Sequence, residues 1–192
     1  MSPSRTLFVL SLLLVFAGLS SAQILELGVS GGASKLSNST LSEPDNAKLD
    51  SGFRLTFRVV LNTWEHFGHE VGYAYNRTNL NYAGTTYGMA THQGFYSFVA
   101  YALTDRSRVR PFIAAGGQFS NFVPPGSSAS YGQGSTKFGV NYGGGVKVRT
   151  SDRFLIRLDF RQFVSPKPDW FLTAPQGWLR MNEISAGFAY TM

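Results

Sequence analysis

Apolar and polar residues alternate one by one through much of this chain. The clearest case is FLIRLDFRQF, residues 154 to 163, where Phe154, Ile156, Leu158 and Phe160 alternate with Arg157, Asp159 and Arg161. A period of two puts successive side chains on opposite faces of a strand. Eight such segments follow one another: 24 to 34, 52 to 62, 69 to 80, 92 to 104, 108 to 119, 137 to 150, 154 to 164 and 179 to 192. They are rich in aromatic and β-branched residues, as strands are. No stretch beyond residue 22 carries a helical period.

The connections predicted between the segments differ in length. Those at 63 to 68, 105 to 107 and 151 to 153 are short; those at 35 to 51, 81 to 91, 120 to 136 and 165 to 178 are long. An even set of antiparallel strands with one tight rim and one elaborated rim is the plan of a transmembrane barrel. Each segment is close to the ~9–11 residues that a tilted strand needs to cross a bilayer. The predicted fold is all-β, an eight-stranded antiparallel up-and-down transmembrane β-barrel with both termini at the short-turn rim.

The two faces differ in character. One carries Phe53, Leu55, Phe57, Val71, Tyr73, Tyr75, Val140, Tyr142, Ile156, Leu158, Phe160, Ile184 and Phe188. The other carries small residues interspersed with Glu26, Arg54, Arg58, Glu70, Lys147, Arg157, Asp159, Arg161 and Glu183. The fourth and fifth segments alternate less clearly; Tyr96, Arg110 and Phe112 are expected inward there. A solvated face of a soluble sandwich or lipocalin-like barrel would carry more Lys, Ser, Thr and Gln. An Arg or Lys on the lipid face at mid-bilayer costs about 2–4 kcal/mol. The charges are therefore expected in the lumen, paired with one another. An eight-stranded interior is just wide enough for side chains to fill, so a plugged lumen is expected. Aromatic side chains favour the two membrane boundaries. Trp64 and Phe67 are expected at one, with Tyr75, Phe119, Trp178 and Trp170 toward the other; Phe188 and Tyr190 join them from the last strand.

Composition narrows the class. There are no cysteines, which excludes a disulfide scaffold and thiolate metal sites. The formal charge of +6 is mild and scattered, so no nucleic-acid partner is expected. Residues 1 to 22 read as an export signal: Arg5, an apolar run from 7 to 19, then Ser20, Ser21 and Ala22. Residues 23 to 192 would then be the barrel domain. No later run of eighteen apolar residues suggests a helical span.

Candidate chemistry is sparse. His66 and His69 fall near a short turn without an evident third ligand, and His92 is isolated. No Ser, His and acid arrangement stands out as a nucleophile with its base. Gly143, Gly144 and Gly145 lack the Lys-Ser/Thr ending of a phosphate loop and sit inside a strand. No catalytic residue, metal or cofactor is expected.

Two stretches carry a family resemblance. GGGVKVRTSDRFLIRLDFRQF, residues 143 to 163, and RVRPFIAAGGQF, residues 108 to 119, resemble the small bacterial outer-membrane β-barrels grouped with the membrane domain of outer membrane protein A. The resemblance implies a Gram-negative outer membrane, periplasmic termini and insertion by the barrel assembly machinery. It also implies outer-membrane lipid and lipopolysaccharide as surroundings, and a monomer. One departure is Met192, where such chains usually end in an aromatic residue. The expected role is envelope structure or contact through surface loops, such as adhesion or ligand binding. The alternatives are a narrow passive channel for small or apolar solutes and a lipid-A-modifying barrel enzyme.

Overall fold

The alternating segments form strands whose hydrogen bonds close into a ring. The computed structural model describes residues 24–42, 47–127, 134–169 and 177–192. The expected export signal and Trp170 lie outside the described residues. The strands are β1 (Ile24–Ser37), β2 (Thr40–Ser42), β3 (Ala47–Leu49), β4 (Gly52–Trp64), β5 (Phe67–Tyr82), β6 (Thr85–Tyr101), β7 (Val109–Val123), β8 (Ser135–Arg149), β9 (Phe154–Pro166) and β10 (Trp178–Thr191).

Eight of these make the barrel wall. Each of β4 to β9 pairs antiparallel with the next, and β1 pairs with both β4 and β10. The β1–β10 seam runs from Glu26 opposite Thr191 to Ser37 opposite Arg180. Closure removes the unpaired strand edges that neither lipid nor solvent tolerates well. The rim bearing Ile24 and Thr191 is the near rim, and the opposite one the far rim.

The wall strands run past the expected segments because backbone pairing continues after the contrast between oily and polar faces has faded. The clearest difference lies between β5 and β6. The expected long connection at 81 to 91 is instead strand up to Tyr82 and from Thr85, joined at Ala83 and Gly84. Both residues have positive φ, 48° and 78°. That is the left-handed pair that a tight two-residue hairpin demands. The expected connection at 35 to 51 holds the small β2–β3 hairpin, which adds to β5 through Lys48 opposite Asn81.

The face assignment of β6 also differs at one position. Tyr96 points outward, 47 % exposed, while Phe95, Ser97, Val99 and Tyr101 point inward. Large apolar residues occupy both faces of this strand, so oiliness cannot choose between two registers that differ by one residue. Arg110 and Phe112 on β7 are buried inside. The turn expected at 63 to 68 has shrunk to Glu65 and His66, and His69 lies in β5. On the outer face its Nδ1 lies 2.7 Å from the Tyr96 hydroxyl, and His92 Nδ1 lies 2.5 Å from that of Tyr73.

The outer face is a continuous apolar band. Ile113, Phe138 and Ile184 are 69, 76 and 68 % exposed. Trp64, Phe67, Phe119, Trp178 and Phe188 are exposed on it, with Tyr75 and Tyr190 partly so. Trp64 and Phe67 meet edge to face at the near rim, and Phe154 packs against Tyr190. Toward the far rim four outward side chains link four strands: Tyr142 donates to Gln162, Gln162 to Asn182 (2.7 Å) and Asn182 to Ser37 (3.4 Å). Such an oily girdle matches hydrocarbon, not water.

Candidate functional site

The inward face assembles the charges. All nine residues predicted for the lumen are no more than 5 % exposed. Alternation on β9 stacks Arg157, Asp159 and Arg161 along one inner wall. β4 brings Arg54 and Arg58, β5 Glu70, β10 Glu183, β8 Lys147 and β1 Glu26. The small inward residues between them, including Gly28, Gly72, Gly143, Gly145 and Gly187, leave the room these long side chains fill.

Three tiers follow along the axis. Nearest the termini, Lys147 Nζ donates to Glu26 Oε2 at 2.5 Å and to the Tyr101 hydroxyl at 2.6 Å. Asn62 donates to the other oxygen of Glu26 at 2.9 Å. The middle tier joins three guanidiniums to two carboxylates. Arg157 grips Asp159 as a fork, Nε to Oδ2 at 2.7 Å and Nη2 to Oδ1 at 2.9 Å, and reaches Glu70 Oε2 with Nη1 at 2.7 Å. Arg161 Nη2 lies 2.8 Å from Glu70 Oε1, and Arg58 Nη1 lies 3.1 Å from Asp159 Oδ2. In the third tier Arg54 Nε meets Glu183 Oε2 at 2.6 Å, while its Nη1 donates to Gln93. Ser97 flanks the middle tier, accepting from Arg161 at 3.1 Å and donating to Asn141 at 2.7 Å.

Above the third tier the lumen turns apolar. Leu36, Leu80, Met89, Phe95, Phe122, Phe163, Leu179 and Met181 form one buried cluster with Leu41, Ala47 and Leu49 of the β2–β3 hairpin. The Arg54 guanidinium lies 4.2 Å from the centre of the Phe163 ring, so cation–π contact joins the two zones. The hairpin thus closes the far mouth with an oily underside. Outside it, hydrogen bonds from Ser135 and Lys137 pull the Asp169 carboxyl down to about 2.

This arrangement binds together residues from every wall strand and fills the cylinder. Residues 8–191 match the family of the outer membrane protein beta-barrel domain. The chain belongs to that family. Solved structures with the same fold include Neisserial surface protein A, at 14 % identity and a TM-score of 0.64, covering 88 % of this chain and 99 % of that one. OprG from Pseudomonas aeruginosa follows at 12 % identity and 0.58, covering 88 % and 95 %. The N-terminal barrel domain of P. aeruginosa OprF gives 10 % and 0.54, covering 87 % and 97 %. At these identities the likeness is one of fold. No curated protein matches the chain.

As an outer-membrane barrel, the molecule has little free space inside. Two small recesses, about 10 Å³ beside Glu26, Arg58 and Arg157 and about 20 Å³ beside Arg110 and Lys147, have room for roughly one water each. Arg54, Glu70, Arg161 and Glu183 are wholly shielded from solvent. Chemically the lumen can hold charge, orient dipoles and exclude solutes. Among the described residues no three His, Asp or Glu side chains gather as metal ligands.

Sequence reasoning missed two parts of this barrel. The first is Arg110, expected inward without a place among the lumen charges, whose guanidinium lies 3.7 Å from the Tyr101 ring centre beside Lys147. The second is the apolar cap. Its signal is parity: Phe163 follows Arg161 on the same face of β9, Met181 precedes Glu183 on β10, and Leu80 continues the Glu70 face of β5.

The hairpin gives a local test. Leu49→Asp places a charge where Leu49 is now 1 % exposed against the cap. Residues 40–49 are expected to become cleavable by added protease while the barrel wall stays resistant, read as a nick on a gel. Unchanged protease resistance would show that the cap is not what holds the hairpin.

Proposed function

We propose that this protein works as a closed outer-membrane barrel, without enzymatic activity, serving envelope structure and contact through its far-rim loops. The observation that carries the reading is the unbroken filling of the lumen: ion pairs through three tiers, then the apolar cap under the hairpin. In this reading the signal at 1 to 22 is removed and the termini lie in the periplasm. The far rim, with its hairpin and longer connections, then faces outward among lipopolysaccharide. The tight near-rim turns suit the periplasmic side of such barrels. The histidines of the strands, His69 and His92, are each engaged by a tyrosine on the outer face, which supports the non-enzymatic reading.

Planar-bilayer recording tests the closed state. Purified barrel is expected to insert without a stable open level at moderate voltage. A reproducible open level in the native protein would favour the narrow channel instead. Cysteine placed at Lys48 and at Asp152, labelled in intact cells with a membrane-impermeant reagent, tests the sidedness. Labelling at Lys48 alone is expected.

A further inference from the structure

The near mouth of the lumen holds more positive charge than its neighbours neutralise. Arg108, Arg110, Lys147 and Arg149 line one recess there, together with Glu26. Lys147 is already engaged by Glu26. Arg110, 5 % exposed, donates through Nε to the Leu103 carbonyl oxygen and through Nη2 to that of Glu65. Its Nη1 makes no hydrogen bond among the described residues. Arg149 donates through Nη2 to the Asp105 carbonyl oxygen. Among the described residues, none of these three arginines has a carboxylate within ion-pair distance.

Glu26 lines the recess and the Asp105 carboxylate also acts on Arg110, so four cations face two carboxylates and leave a local charge of +2. The lumen deeper in does not offset it. There Arg54, Arg58, Arg157 and Arg161 face Glu70, Asp159 and Glu183, four against three, a further +1. Like charges held together beside a hydrocarbon-clad wall repel more strongly than in water. An anion relieves that repulsion. Guanidinium forks match the paired oxygens of an oxyanion better than a spherical ion.

We propose that the open mouth of this recess, where Arg108 is exposed and Arg149 half-buried, is a binding site for an oxyanion of the phosphate class, held by Arg108, Arg149 and the free Nη1 of Arg110. Two sources have this chemistry: free phosphate, and the headgroup phosphate of an anionic lipid in the adjoining leaflet. The site stands whether or not the lumen conducts.

The test uses the whole barrel in uncharged detergent, titrated calorimetrically with inorganic phosphate. A parallel arm reconstitutes it in phosphatidylcholine nanodiscs with and without phosphatidylglycerol, and reads retained lipid by native mass spectrometry. The Arg108→Gln/Arg149→Gln variant is compared with Arg180→Gln, a change at the exposed far end of β10. Saturable phosphate binding is expected, weakened about tenfold or more in the double variant and unchanged in Arg180→Gln. Binding with selective retention of phosphatidylglycerol assigns the lipid as source; binding without it assigns the free anion. Heat-modifiable migration reports that the variant is folded, and Arg108→Gln alone serves if the pair is not. Equal binding in native and folded variant overturns the proposal, as does the absence of both saturable phosphate binding and selective lipid retention.

Discussion

Replacing Glu70 by Gln is expected to destabilise the barrel by roughly 3–5 kcal/mol, the usual cost of breaking a buried ion pair on one side. Glu70 is fully buried, with Arg157 at 2.7 Å, Arg161 at 2.8 Å and Arg58 at 3.8 Å. Its loss would leave three guanidiniums sharing Asp159 alone, in a space where water cannot screen them. Urea unfolding in lipid vesicles measures the change. Arg161→Gln on the same background removes one of the stranded cations, so the double variant should lose less than the two single losses added together. The expected coupling is about 0.5–3 kcal/mol. The exposed pair of Lys137 and Asp169, 2.9 Å apart, provides the contrast. Breaking it by Asp169→Asn is expected to cost at most about 1 kcal/mol, because solvent already weakens it. If Glu70→Gln proves as mild as Asp169→Asn, the network does not hold the lumen together.

The second large effect is expected from a single methyl group. A Cβ at Gly145 would lie 2.0 Å from the Leu158 carbonyl oxygen on β9 and 2.9 Å from the Phe112 ring. Neither can yield easily: the oxygen is fixed in the backbone, and the ring is buried under the Arg157 guanidinium, 4.3 Å from its centre. Gly145→Ala should therefore cost about 3 kcal/mol or more, the upper end of what overpacking usually does. A fall in the fraction of refolded protein that migrates as the compact form before heating would report it. Gly117 gives the opposite expectation. A Cβ there meets nothing within 4 Å. Gly117→Ala is expected to change stability by no more than about 0.5 kcal/mol. Equal behaviour of the two alanines would remove the claim that inward glycines let β8 and β9 approach.

The plan of the wall was legible because alternation is a local property; the family was legible only through the resemblance of residues 108–119 and 143–163. Arg157, Asp159 and Arg161 share a face whatever β9 pairs with, since successive side chains of a strand point to opposite sides. The same holds for Arg54 with Arg58, and lipid then decides which face is outside. Alternation failed where its contrast failed. On β6, Tyr96 and Phe95 are both oily and aromatic, and only pairing with β5 and β7 settles which one faces the lumen. The turn at Ala83 and Gly84 was hidden because the strands around it extend beyond the oily band, where nothing in the pattern marks a pleat.

By itself, then, the sequence determined the period, the strand count of the wall, the oily exterior and the identity of the nine interior charges. Only the tertiary structure decided their partners. Arg58 and Asp159 are 101 positions apart, and Lys147 and Glu26 121 apart. They meet because β1 closes on β10 in one particular register, and a slip in that register would move every pairing across the lumen. The apolar cap has the same origin, since Leu41 and Leu49 become interior residues only when their hairpin adds to β5 and folds over the mouth. Face is set by the backbone of one strand, whereas contact across a barrel is set by how all the strands close.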